Sequence, residues 1–348
     1  ANAHQKRRPT PNLFVSSEII STTCEKNTHG NFFYKKHCTV KEIAEITKSQ
    51  WLCVLDADNA VVNFDKKLEE YIDDSKQVIH GTRFHNNEIS AGNYIIRNTD
   101  WGRQYLADWS SSLDNGFGGM NDDNGALHFL LLKRLSDISI PGHKECINKG
   151  KQSDDYMKFV SCVHEVLAKT KCQGFEWKHI KIIPNTIDSD WLAIDVGRTK
   201  AKWSTRSFMF HGMKEPYLSR YNAKISSKCV SLTDPIAPEQ YRKELVNTML
   251  SYKNNPRGWD DNSCVQSTKI TVTIGRAKYA QDVLKQPHGN PKSSQIKGYN
   301  HLKKISNRLS VPKITMLIIA DKSSQKKYQK NLENMRCYAE KHGYGFLV

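Results

Sequence analysis

The 348-residue chain has no run of eighteen apolar residues, so no segment reads as a membrane-spanning helix. Its nine cysteines include no Cys-x-x-Cys, which argues against a zinc ribbon or a thioredoxin motif. There is no Asn-x-Ser/Thr acceptor either, so glycosylation offers no support for secretion. The first residues, Ala1-Asn2-Ala3-His4-Gln5-Lys6-Arg7-Arg8, lack the apolar centre of a signal peptide and an initiating Met. They read as the start of a processed chain or a fragment, with any membrane contact expected only through an anchor outside these residues.

Apolar residues at 38% and charged residues at 25% describe a folded, rather polar protein with ample length for a core. The net charge of +16 is uneven: residues 231–348 hold 20 Lys and Arg against 9 Asp and Glu. A basic surface attracts nucleic acid, anionic membranes or acidic substrates. These cations are scattered, however, with no aromatic platform or zinc-ligand spacing beside them, so a solvated linker is expected and a nucleic-acid partner is not. Cys53 lies inside an apolar run and reads as a core thiol. The other cysteines are widely spaced, which fits a lumenal protein with some disulfides, their pairing left open.

The chain is organised around Trp51 to Asn63. Trp51-Leu52-Cys53-Val54-Leu55 is apolar without alternation, the pattern of a strand buried on both faces of an α/β sheet. Where that strand should end, the sequence switches to Asp56-Ala57-Asp58-Asn59. Asp-x-Asp is a common pattern, and most examples are solvated turn residues. At the carboxyl end of a buried strand, however, it sits where open α/β sheets bind ligands. A turn there can bring both carboxylates to one hard cation, the usual partner of a diphosphate. The stretch is therefore read as a metal–diphosphate site.

Further elements follow by periodicity. A helix is expected on Val40, Ile43, Ala44 and Thr47, and a short amphipathic helix on Phe64, Leu68, Tyr71 and Ile72. Val78-Ile79-His80 and Ala91 to Asn98 read as strands, with Gly92 and Asn93 letting backbone approach a ligand closely. A helix capped by Thr99 or Asp100 carries Trp101, Tyr105 and Trp109 on one face, a core stripe. After the turn Asn115 to Gly119, Asp122 and Asp123 open a buried helix at its positive end. Residues 155–168 read as a helix and Ile180 to Ile183 as a strand, with loops around Trp191 and Trp203. Ser207 to Lys214 is an apolar strand ending in His211-Gly212-Met213-Lys214, an imidazole for metal and a cation for phosphate. Residues 231–312 read as a basic linker. Lys313 to Ala320, a helix carrying Tyr328, Leu332, Met335 and Ala339, a Gly343 cap, and Tyr344 to Val348 form a terminal β-α-β unit.

Five stretches together resemble a GT-A glycosyltransferase: Phe33 to Cys38, Leu55 to Asn63, Ala91 to Asn98, Asp122 to Leu127 and Phe208 to Lys214. Within that class the chain looks like a nematode-expanded family catalogued as a domain of unknown function. It is similar to galactosyl- and xylosyltransferases of the alpha-mannan and xyloglucan type. The resemblance implies a nucleotide-diphospho-sugar transferase fold, a Rossmann-like mixed sheet flanked by helices. It also implies a Golgi or secreted enzyme that uses Mn²⁺ (or Mg²⁺) and moves a sugar, galactose being one candidate, from a UDP-sugar to a glycan or glycoconjugate acceptor. Asp56 would meet ribose and metal, Asp58 and His211 would complete the metal ligands, and Lys214 and Gly212 would face the diphosphate. Gly92 and Asn93 would line the sugar and acceptor site, and Asp123 and Asn124 would contact the donor sugar. Related families retain anomeric configuration, an expectation here by analogy alone.

In that fold a β-α-β unit that cradles the nucleotide precedes the Asp-x-Asp strand. Residues 1–30 hold no such unit, whereas 313–348 resemble it. The expected organisation is thus a catalytic region over 1–230 lacking its first unit, a linker over 231–312, and the unit at 313–348. That last unit is either the start of a second copy or a permuted replacement. Two other readings stand beside this one. A dehalogenase-type phosphatase would use Asp56 as nucleophile, though it usually carries Thr or Val where Ala60 stands. A non-catalytic basic protein would bind polymer without turnover.

Overall fold

The computed structural model describes residues 24, 28, 31–83, 88–112, 122–134, 142–152, 156–172, 179–183, 191–195, 207–214 and 313–348. The linker reading for 231–312, the turn Asn115 to Gly119 and the loop at Trp203 lie outside them. In chain order the elements are helix α1 (Phe32–Ile46), strands β1 (Trp51–Leu55), β2 (Ala60–Val61), β3 (Val78–Thr82) and β4 (Ile89–Arg97), and helices α2 (Asp100–Ser110), α3 (Asp122–Arg134), α4 (His143–Gln152) and α5 (Tyr156–Cys172). Strands β5 (Ile180–Ile183), β6 (Ala193–Asp195), β7 (Met209–His211) and β8 (Ile314–Ile318) follow, then helices α6 (Lys322–Lys327) and α7 (Gln329–His342) and strand β9 (Gly345–Leu347). Among these described residues no helix is long and apolar enough to cross a membrane.

The architecture is mixed α/β. A six-stranded sheet runs β5-β3-β4-β1-β8-β9, and a small sheet runs β2-β7-β6. In the large sheet β4 alone is antiparallel to its neighbours; β1, β8 and β9 are parallel to one another, as are β3 and β5. All five residues of β1 are fully buried. Alternation then divides them: Leu52 and Val54 join the core under α1 to α5, while Trp51, Cys53 and Leu55 join the core under α7. This is why the run is apolar throughout.

The terminal β-α-β unit completes the sheet. β8 pairs along the whole of β1, from Trp51 opposite Ile314 to Leu55 opposite Ile318. Its helix α7 buries Leu332, Met335 and Ala339 of the predicted face, with Tyr328 only partly buried and Tyr338 added to it, and ends on Gly343 at φ +72°. The hydroxyl of Ser49, just before β1, meets that of Thr315 in β8 at 2.6 Å.

Some local expectations need correction. Helix α1 begins at Phe32, where the Asn31 side chain accepts from Phe33 N and caps it, and stops before Thr47, which is its C-cap. The amphipathic helix expected near residue 68 is only a 3-10 turn, Leu68–Tyr71; Asn63 and Lys67 hold turns around it instead. The segment after Trp191 is a strand, β6, too short to show a period. Thr99 is the cap of α2, and Tyr105 and Trp109 are core, while Trp101 is only partly buried. Cys53 is a buried free thiol, and Cys24 and Cys38 form a disulfide onto α1.

Candidate metal centre

Three side chains from two segments converge beyond the carboxyl end of β1. One ligand atom each of Asp56, Asp58 and His211 lies within 4.8 Å of the others. His211 Nε2 is 3.4 Å from Asp56 Oδ2 and 3.3 Å from Asp58 Oδ1. The chain turns immediately after β1, with Asn59 N donating to Asp56 O at 3.2 Å. That turn overrides strand alternation and puts both carboxylates on one side. His211 arrives because β2 pairs antiparallel with β7, Ala60 opposite Phe210. Beyond it, Met213 N donates to Asp58 O at 2.9 Å. Gly212 between them has φ +78°, a conformation that L side chains rarely adopt.

The donor set fits a divalent cation of the Mn²⁺ or Mg²⁺ kind, two carboxylates and one imidazole. Electrostatics agree with that fit. Burial alone would lower the His211 pKa, yet Asp195, Asp56 and Asp58 outweigh it and raise the imidazole well above its ordinary value. The pocket therefore favours a positive charge at Nε2. His211 Nδ1 donates to Asp195 Oδ1 at 2.6 Å, which leaves Nε2 as the atom turned toward Asp56 and Asp58. Asp195 is in turn 3.5 Å from Arg83 Nη1, and Arg83 is paired with Glu88 at 3.0 Å.

Behind the ligands lies a buried charge network. Lys36 Nζ sits 3.0 Å from Asp123 Oδ2 and 3.3 Å from both Asp56 Oδ1 and Ala91 O. Its three donors thus have three partners. Burial would raise the Asp56 pKa, but Lys36 and then His211 hold the carboxyl below its usual range. Asp123 is likewise held low against burial, by Lys36 first and His37 next. His37 is pushed down to about 4, chiefly by burial, and stays neutral. Since the Asp123 carboxylate only accepts, His37 Nε2 carries the hydrogen at 3.1 Å and Nδ1 accepts from the Tyr94 hydroxyl at 3.0 Å. The ring stacks on Trp109 at 3.5 Å.

The remaining sequence-derived candidates occupy distinct places. Gly92 is needed for a close approach, but the approaching group is the protein's own: an added Cβ would stand 2.3 Å from Asp56 Oδ2. Asn93 Oδ1 accepts from Asn59 Nδ2 at 2.8 Å and from Asp56 N at 3.3 Å, so it shapes the turn from inside. Asn124 Oδ1 accepts from Ala91 N at 2.9 Å and ties α3 to β4. Asp123, expected against a donor sugar, is 2% exposed and held by Lys36 and His37. Lys214 is exposed at the rim, its Nζ 4.0 Å from Asp58 Oδ2.

Lys36 and Asp195 were not singled out by sequence reading. Lys36 had a signal: it precedes Val40 by four residues and Ile43 by seven, which places a lysine on the buried stripe of a helix. Asp195 had a weaker one, a carboxylate closing the short apolar run Leu192 to Ile194.

At the level of class, this is a mixed α/β protein whose parallel strands β1 and β8 end beside a carboxylate–imidazole cluster. Residues 14–227 match the family described as "Protein of unknown function, DUF273", and the chain belongs to that family. No curated protein and no solved structure matches it.

Proposed function

We propose that this protein is a metal-dependent GT-A glycosyltransferase that moves a sugar from a UDP-sugar to a glycan or glycoconjugate acceptor. The observation that carries the reading is the convergence of Asp56, Asp58 and His211, from separate segments, at the carboxyl ends of a mixed sheet. Asp-x-Asp plus a distant imidazole matches the ligand set that the resemblance implies. When bound, a divalent cation supplies charge neutralisation and Lewis acidity to a departing diphosphate.

The protein's own groups divide the rest of the work. Lys36 holds Asp56 ionised and turned, so its second oxygen faces His211. Lys214, free to swing at the rim, offers a cation to the phosphates. Ala320 and Asp321 follow β8, beside the end of β1, where a nucleoside would lie at the edge of such a sheet. Asp123 is locked by Lys36 and His37, so it is not assigned as a general base. The lumenal setting implied by the resemblance is compatible with the Cys24–Cys38 disulfide.

The phosphatase reading finds less support, because β1 has an antiparallel neighbour and Ala60 stands where that class usually carries Thr or Val. Titration calorimetry of UDP with and without Mn²⁺ tests the proposal. Binding should require Mn²⁺ and should vanish in Asp58→Asn. Equal UDP binding without metal, or none under either condition, would overturn it.

A further inference from the structure

We infer that Asn331, on helix α7, is the residue that holds the two ligand-bearing loops of the candidate centre in register. The inference rests on the metal reading above and concerns a segment outside the matched family region. Asn331 is 2% exposed. Its single side-chain amide donates to Asn59 O at 3.1 Å and to Met213 O at 3.2 Å. Asn59 is the residue after Asp58, and Met213 is two residues after His211. One NH₂ group therefore bridges the turn that carries both carboxylates and the loop that carries the imidazole.

The geometry of those loops makes the bridge consequential. They share the direct bond from Met213 N to Asp58 O, the two-residue pairing of β2 with β7, and the bonds of Val62 N and Asn63 N to Phe208 O at 2.9 and 3.2 Å. Apart from the Met213 bond, these ties lie along β2 and β7, after the turn that carries the carboxylates. Gly212, at positive φ and with open space around its missing Cβ, adds no side-chain packing between the loops. Asn331 supplies a second tie at the level of the ligands. One turn along α7, Asn334 reads the neighbouring backbone like an adjacent strand, accepting from Val61 N at 2.7 Å and donating to Val61 O at 3.1 Å. The two asparagines thus divide their work: Asn334 seats β2 on the helix, and Asn331 sets the separation of the ligand loops.

The division gives a matched control. Asn331→Leu and Asn334→Leu each remove the side-chain hydrogen bonds described above from the same helix, with similar volume and no new charge. Mn²⁺ affinity is measured for both by calorimetry and by the loss of the free-ion paramagnetic resonance signal. Thermal melting of each variant is followed in parallel. Asn331→Leu should weaken Mn²⁺ by about 10–100-fold, the range for removing an outer support of a metal site. Asn334→Leu should change it by less than about threefold despite a comparable loss of melting temperature. Wild-type affinity in Asn331→Leu, or affinity losses in both variants that follow their melting temperatures, would overturn the inference alone. A wild-type chain that binds no Mn²⁺ overturns the metal reading and this inference with it.

Discussion

Two residues near the centre lead to predictions of opposite character. Asp195 would act on a bound metal through His211, since holding Nδ1–H turns Nε2 toward Asp56 and Asp58. Asp195→Asn keeps the shape and removes the anion that also faces Arg83, so Mn²⁺ affinity should fall by about 10–100-fold, with some loss of stability. Unchanged affinity by calorimetry would show that the hydrogen bond does not orient the imidazole. Gly92 acts by absence. In Gly92→Ala the methyl would meet Asp56 Oδ2 at 2.3 Å, so either the carboxylate or strand β4 must shift. Overpacking of this kind costs about 1–3 kcal/mol. Here the expected signature is lost Mn²⁺ binding together with a lowered urea midpoint; retained binding would place the slack elsewhere.

Among the elements, β8 and α7 matter most. β8 covers one edge of β1 over its full length, and α7 closes the core on the face that holds Trp51, Cys53 and Leu55. Met335 is fully buried there. Truncating a buried Met leaves a cavity and costs about 2–5 kcal/mol. Met335→Ala should lower the midpoint of a single unfolding transition followed by tryptophan fluorescence. A separate early transition, with the bulk of the signal unmoved, would mean that the terminal unit unfolds on its own. The predicted helices and strands around the core were legible because each has a face to bury. Short elements such as β6 were not, since three residues carry no period.

For the molecule as a whole, buried neutral histidines set the response to acid. Burial pushes His37 down to about 4 and His80 down to about 3, and it lowers His128 as well. In the unfolded chain each titrates near 6.5. Below that pH the unfolded state takes up protons that the folded state refuses. Stability is therefore full above about pH 6.5 and declines as pH falls toward the folded values. Each such group removes about 1.4 kcal/mol per pH unit in that window. His211, raised by its carboxylates, works in the opposite direction. The clean test is thus a difference: His80→Gln, which can still meet the Tyr105 hydroxyl, should lose less stability than wild type between pH 7 and 5.5. Parallel losses in urea titrations would contradict the assignment.

The sequence by itself determined what depends on near neighbours. An unbroken apolar run implied a strand buried on both faces, and the abrupt change to Asp56-Ala57-Asp58 marked its carboxyl end and the candidate site. The apolar run into His211 marked a second such end, and Gly343 marked a helix stop. Tertiary structure alone decided what depends on distant ones. It brought Asp58 and His211 together across 153 positions, set Lys36 between Asp56 and Asp123, and laid β8 along β1. It also showed that Asp123 faces inward and that the space beside Gly92 belongs to Asp56. Periodicity reports which face of an element avoids water, whereas ion pairs and backbone ties such as those of Asn331 form only when the packed faces bring remote groups within bonding distance.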